Sequence, residues 1–184
     1  MNQVTLKFLV QGYYDGNGTM RSVKNNQDQV STLDEVETVS ATLWAGTNAV
    51  ETAEATLKTD GMAVFQFEND GDFHISVKGK NSLAVFIPVV LEVGATPISY
   101  DFTIAAEQAY GANQVEVETN VFALRSGSVN SGNTIDQADE DLITAAIENS
   151  LYGVQVCDLN GDGAVDNSDL DFFWDNKGKS VMRP

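Results

Sequence analysis

Residues 158 to 169 read DLNGDGAVDNSD, and the chain runs on through Leu170-Asp171-Phe172-Phe173-Trp174. Asp158, Asp162, Asp166, Asp169 and Asp171 set five carboxylates in this short space, and their mutual repulsion opposes folding unless positive charge sits among them. Counted from Asp158, oxygen-bearing side chains fall at positions one, three, five, nine and twelve, with Gly163 at six and Val165 at eight. Calcium prefers about six to eight oxygen ligands, and a twelve-residue loop supplies them at these alternating places. The spacing therefore predicts a calcium site. Asp158, Asn160 and Asp162 each give a side-chain oxygen, Ala164 its backbone carbonyl, and Asp166 an oxygen directly or through water. Asp169 closes the shell bidentately, in the first turn of a helix starting near Ser168. Gly163 permits the sharp turn, and Val165 anchors the loop to a core.

A degraded copy lies 30 residues upstream. Ser128 to Asp139, SVNSGNTIDQAD, matches the second loop at Asn130, Ile135, Asp136 and Asp139. Ser128 and Gly132 stand where carboxylates are expected, and Asn133 replaces the turn glycine. With two charged ligands gone, this loop should bind calcium far more weakly or not at all. Ala138, Leu142, Ile143, Ala146 and Ile147 then recur at three- and four-residue steps, which places them on one stripe of a helix. Two loop–helix units at this interval read as a duplication.

The closing residue Asp169, where an ordinary EF-hand has Glu, and the non-helical texture of Tyr152 to Cys157 set the stretch apart from that motif. DLNGDGAVDNSDLDFF resembles the calcium loop and exiting helix of dockerin modules, small calcium-folded domains near the ends of secreted polysaccharide-degrading enzymes and surface proteins. The two units together resemble a dockerin-like module with one intact and one degenerate repeat. VQGYYDGNGTMR at residue 10, ATPISYDFTIAAEQAYGANQVEVETNVFALRSG at residue 95 and the terminal VMRP resemble a composite module, a β-sandwich followed by a dockerin-like pair. Such composites close large secreted proteins of Bacteroidetes-type bacteria. The resemblance implies an extracellular or cell-surface location and a cohesin-like partner. The degenerate first loop lowers the latter expectation, and docking onto the sandwich itself is an equal use for the appendage.

Upstream, the dominant period is two. VTLKFLVQG, VETVSATLWAG, ATLKTD, MAVFQFEND, DFHISVKGK, AVFIPVVLEVG and ISYDFTIA are short segments rich in Val, Thr, Ile, Phe and Tyr, separated by Gly-, Asn- and Asp-bearing turns. About seven strands at this spacing predict an antiparallel sandwich. Asp60-Gly61 and Asp70-Gly71 read as hairpin turns around the strand at 62 to 68. Asp15-Gly16-Asn17-Gly18 reads as a turn, residues 20 to 34 as a surface loop, and 110 to 124 as one or two further strands. The fold class expected is mainly β with a small α appendage: an antiparallel Ig-like β-sandwich, residues 1–125, then a dockerin-like pair of calcium-loop helices, residues 126–184. No Pro- or Ser-rich linker separates them, so the two parts should dock.

With 27 acidic against 10 basic residues the formal net charge is −17, which argues against nucleic acid and anionic membranes as partners, because phosphate contacts need clustered Lys and Arg. No apolar run approaches the ~18 residues of a membrane span. The start carries no charged region followed by a long apolar one, and a mature segment with an added Met is the reading favoured. Cys157 is the only cysteine, so no intramolecular disulfide forms and a small packing role is expected for it.

An enzyme is not expected. His74, the only histidine, sits in a strand without a nucleophile-elbow motif and reads as a strand-face residue, and carboxylate pairs are uninformative in so acidic a chain. Tyr13, Tyr14, Trp44, Phe86, Tyr100 and Tyr110 are candidates for sugar stacking, with Trp44 the best exposed. The leading function is a non-catalytic, calcium-stabilised extracellular module for protein–protein docking or surface scaffolding, with a cohesin-like protein or a second copy as partner. The alternatives are carbohydrate binding to a polysaccharide and self-assembly of a homo-oligomer into a filament or surface layer.

Overall fold

The computed structural model describes all 184 residues. The chain opens with β1 (Asn2–Lys7), β2 (Tyr14–Gly16), β3 (Thr19–Met20) and a single helical turn α1 (Val23–Asn26). The long strands β4 (Glu35–Ala45) and β5 (Asn48–Lys58) follow, then β6 (Met62–Phe67), β7 (Gly71–Lys78), β8 (Val85–Phe86), β9 (Leu91–Val93) and β10 (Ile98–Asp101). A short ribbon, β11 (Val115–Glu118) and β12 (Val121–Ala123), precedes the helices α2 (Gln137–Glu148) and α3 (Asn167–Asn176).

One sheet orders β10-β1-β6, and the other orders β5-β4-β7-β8 with β9 also on β7. Alternation decides their inner faces. Val4 and Leu6 of β1 and Phe65 and Phe67 of β6 are buried, as are Val39, Ala41 and Leu43 of β4 and Ile75 and Val77 of β7. These side chains fill the space between the sheets, and a second, smaller cluster gathers Ile135, Ile143, Leu159, Val165 and Phe173 around Leu83. The chain is mainly β with a small α appendage.

Several local expectations change. Ten strands, not about seven, lie between Asn2 and Asp101, because β2 and β3 form on either side of the Asp15–Gly18 turn and because Pro88 lacks an N–H and splits AVFIPVVLEVG into β8 and β9. The sandwich is not wholly antiparallel, since β10 runs parallel to β1, with Val4 opposite Ile98. Neither Asp-Gly turn closes a hairpin. β6 leaves the β5 and β7 sheet and pairs antiparallel with β1, Val4 opposite Phe65. Gly61 makes that switch, with φ +86°, its carbonyl accepting from Phe8 N at 3.0 Å, and the Phe8 carbonyl where a Cβ would stand. The tight hairpins are β4–β5, which turns through Gly46, the Asp15-Gly16-Asn17-Gly18 turn between β2 and β3, and β11–β12, and a longer connection joins the antiparallel pair β7–β8.

Candidate functional site: the paired loops and the seam beneath them

In the second loop the six expected residues divide by depth. Asp158 and Asp169 are fully buried and Asn160 nearly so, whereas Asp162, Ala164 and Asp166 lie at the exposed rim. Asp158 Oδ1 accepts the N–H groups of Gly161 (2.8 Å) and Asp162 (3.2 Å), and Oδ2 accepts Gly163 N–H (3.0 Å). Asn160 Oδ1 accepts from Asp162 N and Asp162 Oδ1 from Ala164 N. Asp166 caps α3 through Ser168 N, and Asp169 Oδ2 answers through Asp166 N, a reciprocal capping box. Asp169 Oδ1 also accepts from Leu159 N (2.7 Å) and Asn160 N (3.0 Å), tying the helix start to the loop start. Gly163, at φ +95°, lies against the Asn26 carbonyl where any Cβ would collide.

No three carboxylate, histidine or cysteine side chains converge closely enough to cage a metal, because the loop's carboxylate oxygens are turned onto these backbone N–H groups. The donor set still fits a hard cation. All five side chains expected to ligate carry oxygen, and neither Asp158 nor Asp169 pairs with a lysine or arginine. Burial pushes the Asp158 carboxyl up, and burial with the nearby Asp158 charge pushes Asp169 up to about 6. No cationic side chain therefore offsets the charge of either carboxylate when it is ionised.

The first loop repeats this frame without the charge at position one. Asp139 is fully buried, its Oδ1 accepts from Val129 N (2.8 Å) and Asn130 N (3.0 Å), and its Oδ2 accepts from Asp136 N (3.0 Å). Asp136 caps α2 at φ −139°, ψ −168°, and Asp166 caps α3 at −143°, −168°. Position eight of each loop bonds to the chain that follows the other loop's helix: Ile135 N donates to Lys179 O, and Val165 N to Leu151 O. The loop–helix units are therefore duplicated in geometry as well as sequence. Their buried stripe is narrower than the spacing suggests, since Ile143 and Ala146 are buried while Ala138 and Leu142 face solvent.

Both loops rest on the sandwich. Asn81 holds the two first positions together, its backbone carbonyl accepting from Ser128 N (3.1 Å) and its Nδ2 donating to the Asp158 carbonyl (3.0 Å). Gly12 meets the Leu159 carbonyl so closely that no side chain fits. Asn176 donates to Gln11 Oε1 (2.6 Å) and to the Ser126 carbonyl (2.9 Å). Residues 20 to 34 are more than a surface loop: α1 forms there, Asn26 Nδ2 donates to Gly161 O (2.8 Å), and buried Gln27 donates to Asp158 Oδ2 (2.7 Å). Tyr13, also buried, donates to Glu37 Oε2 (3.4 Å) and accepts from Asn81 Nδ2 (3.0 Å). Burial raises the Glu37 carboxyl to about 7, against the opposing pull of the Lys80 N–H and charge and the Tyr13 hydroxyl. The sequence reading missed Glu37, Asn81 and Gln27. Period two offers a signal only for Glu37, which shares the inner face with Val39, Ala41 and Leu43.

Of the other candidates, Tyr110 is half-buried, and the rest are occupied. Trp44 is half-buried, donates its Nε1 to Ser76 Oγ (2.9 Å) and carries the Arg183 guanidinium 4.7 Å from its ring, so it is not an open sugar platform. Tyr13 and Phe86 are buried, and the Tyr14 and Tyr100 hydroxyls are engaged by Glu118 and the Gln108 carbonyl. The exposed aromatic side chains are Tyr152 and Trp174, both in the appendage. His74 is half-buried with Nδ1 near the Ile87 carbonyl. Cys157 packs in the smaller cluster, its thiol raised by burial to about 11.

No family model and no curated protein matches the chain. Among solved structures it is similar to a chain of a C-terminal interface mutant of the type II cohesin–X-dockerin complex from Acetivibrio cellulolyticus, with 16% identity, a TM-score of 0.55, and 98% of this chain and 97% of that chain covered. An N-terminal interface mutant of the same complex matches with 13% identity and a TM-score of 0.54, over 98% of this chain and 97% of that one. At these identities the likeness is one of fold. It takes in the sandwich and the paired loops together. No helix is long and apolar enough to cross a membrane.

Proposed function

We propose that this chain is a non-catalytic docking module for another protein at the cell surface or outside the cell, with calcium in the 158–169 loop stabilising its appendage. The reading divides the chain into a sandwich at 1–125 and a dockerin-like unit at 126–184 that fold against each other. The observation that carries docking is the end-to-end likeness to a chain of a cohesin–X-dockerin complex, over 98% of this chain and 97% of that one. That no lysine or arginine pairs with the buried Asp158 and Asp169 carboxylates supports the cation. Asp158, Asn160, Asp162, Ala164, Asp166 and Asp169 would hold it, and its charge would offset their repulsion, so that binding free energy becomes folding free energy. Asp158 already accepts four N–H groups, about as many as a carboxylate has lone-pair sites. Engaging a cation therefore displaces one of them, and the Asp162 N–H at 3.2 Å is the longest.

The test of docking is affinity capture on the immobilised chain from surface and secreted proteins of the source organism, in calcium and in EGTA, beside a polysaccharide panel and light scattering of the chain alone. A protein partner retained in defined stoichiometry, and more strongly in calcium, is the expected result. Retention of polysaccharide alone, or assembly of the chain only with itself into open polymers, would overturn the reading.

A further inference from the structure

We propose that Gln27, carried by the sandwich, is a positioning residue for the first carboxylate of the cation loop, so that the loop's affinity is a property of both parts of the chain. The proposal rests on the calcium reading above and assigns part of that site to a segment 131 residues away in sequence. No helix leads into Asp158: α2 ends at Glu148, and α3 begins only after the loop. Asp158 is instead fixed from outside. Asn81 holds its carbonyl, and Gln27 Nε2 reaches its Oδ2 at 2.7 Å, the short distance of a hydrogen bond to a charged acceptor. Gln27 is 3% exposed. Its backbone is held by its N–H on the Val23 carbonyl (2.9 Å), and its side-chain amide is oriented by Gln29 Nε2 donating to its Oε1 (3.2 Å), which leaves the amide NH2 for Asp158.

The consequence for the carboxylate is directional. Oδ2 is gripped from two sides, by Gln27 and by the Gly163 N–H at 3.0 Å. Oδ1 also accepts two N–H groups, Gly161 at 2.8 Å and Asp162 at 3.2 Å, but the Asp162 contact is the longest of the four, so Oδ1 is the oxygen more readily freed to engage a cation. The sister loop supplies an internal comparison: Ser128, at the equivalent place, bonds within its own loop to Gly132 O and receives no side chain from α1. The amide is thus directed at the one loop that keeps its charged first ligand. Outer partners that orient a ligating carboxylate typically govern metal affinity by about 10–100-fold.

Calorimetric titration of calcium chloride into the chelator-stripped full chain tests this, with wild type, Gln27→Ala, Gln27→Met and Asn26→Ala compared. The two Gln27 variants are expected to bind about 10–100-fold more weakly, while their melting curves in EGTA stay close to wild type, a split that a purely structural role would not produce. Asn26→Ala removes a hydrogen bond to the same loop's backbone but none to a carboxylate, and is expected to bind within about threefold of wild type. Gln27→Met preserves volume and decides the matter if Gln27→Ala melts early in EGTA. Gln27 variants binding as tightly as wild type would overturn the proposal and leave the calcium reading standing, and equal weakening by Asn26→Ala would overturn it in the same way. A wild type that takes up no calcium would overturn both.

Discussion

Replacing Glu37 by Gln weighs the seam between sandwich and loops directly. Glu37 is 5% exposed, accepts from Lys80 N (3.1 Å) and Tyr13 Oη (3.4 Å), and has no cationic side chain in contact. Burial lifts its carboxyl from 4.5 to about 7, which corresponds to about 3 kcal/mol held against the ionised folded state. Because the folded value is the higher one, the folded protein binds the proton more readily. The associated stability is fully present below the unfolded value of 4.5 and is lost as pH rises through about 7. Glutamine keeps an acceptor for Lys80 N and cannot ionise. Denaturant unfolding of wild type and Glu37→Gln in EGTA, at fixed ionic strength, should therefore show the variant gaining on wild type by roughly 2–3 kcal/mol between pH 5 and pH 8. Near-UV circular dichroism should remain unchanged. A stability difference independent of pH would refute the reasoning, since Glu37 would then be solvated and the seam open at Tyr13.

Two further substitutions probe the same architecture. Gly12→Ala places a methyl group on the Leu159 carbonyl and should separate the loops from the sandwich, lowering stability by more than about 2 kcal/mol and exposing Cys157 to a thiol reagent; a thermal melt and a labelling rate check it. Asp139→Ala frees the N–H groups of Val129, which is buried, and of Asn130 and Asp136, whose bonds are partly buried; a buried donor left unpaired costs about 1–3 kcal/mol. The first loop should unravel with a loss of at least about 3 kcal/mol in EGTA, and hydrogen exchange at these three amides reports it.

The loops were the most legible part of the chain. The spacing of their oxygen-bearing side chains, the 30-residue interval and the two helix starts all express local rules, and the structure reproduces the same carboxylate-to-backbone frame at Asp139 and Asp169. Strand content was legible for a similar reason, because Val39, Ala41 and Leu43 alternate with solvent-facing residues. Pairing was not. Asp60-Gly61 carries the chemistry of a hairpin turn, but whether the next strand folds back or crosses to the opposite sheet depends on β1, which offers Val4 and Leu6 to Phe65 and Ala63. The seam was hidden for a related reason. Gln27 lies in a stretch with no periodicity, and its side-chain partner Asp158 is more than a hundred positions away. Asn81 sits in a turn-like KGKNS segment where a polar residue is unremarked until two loops converge on it. The dense carboxylates suggested a ready cage of ligands, whereas their oxygens are largely committed to backbone N–H groups.

The most direct test of the account is calorimetric melting of the chelator-stripped chain in millimolar calcium and in EGTA, with Asp158→Ser, which gives the second loop the first loop's residue, as comparator. The account predicts a higher transition for wild type in calcium, by about 3 kcal/mol of stabilisation if the ion stands at a hundred times its dissociation constant, and coincident transitions for Asp158→Ser. Superimposable wild-type curves in the two solutions would contradict it.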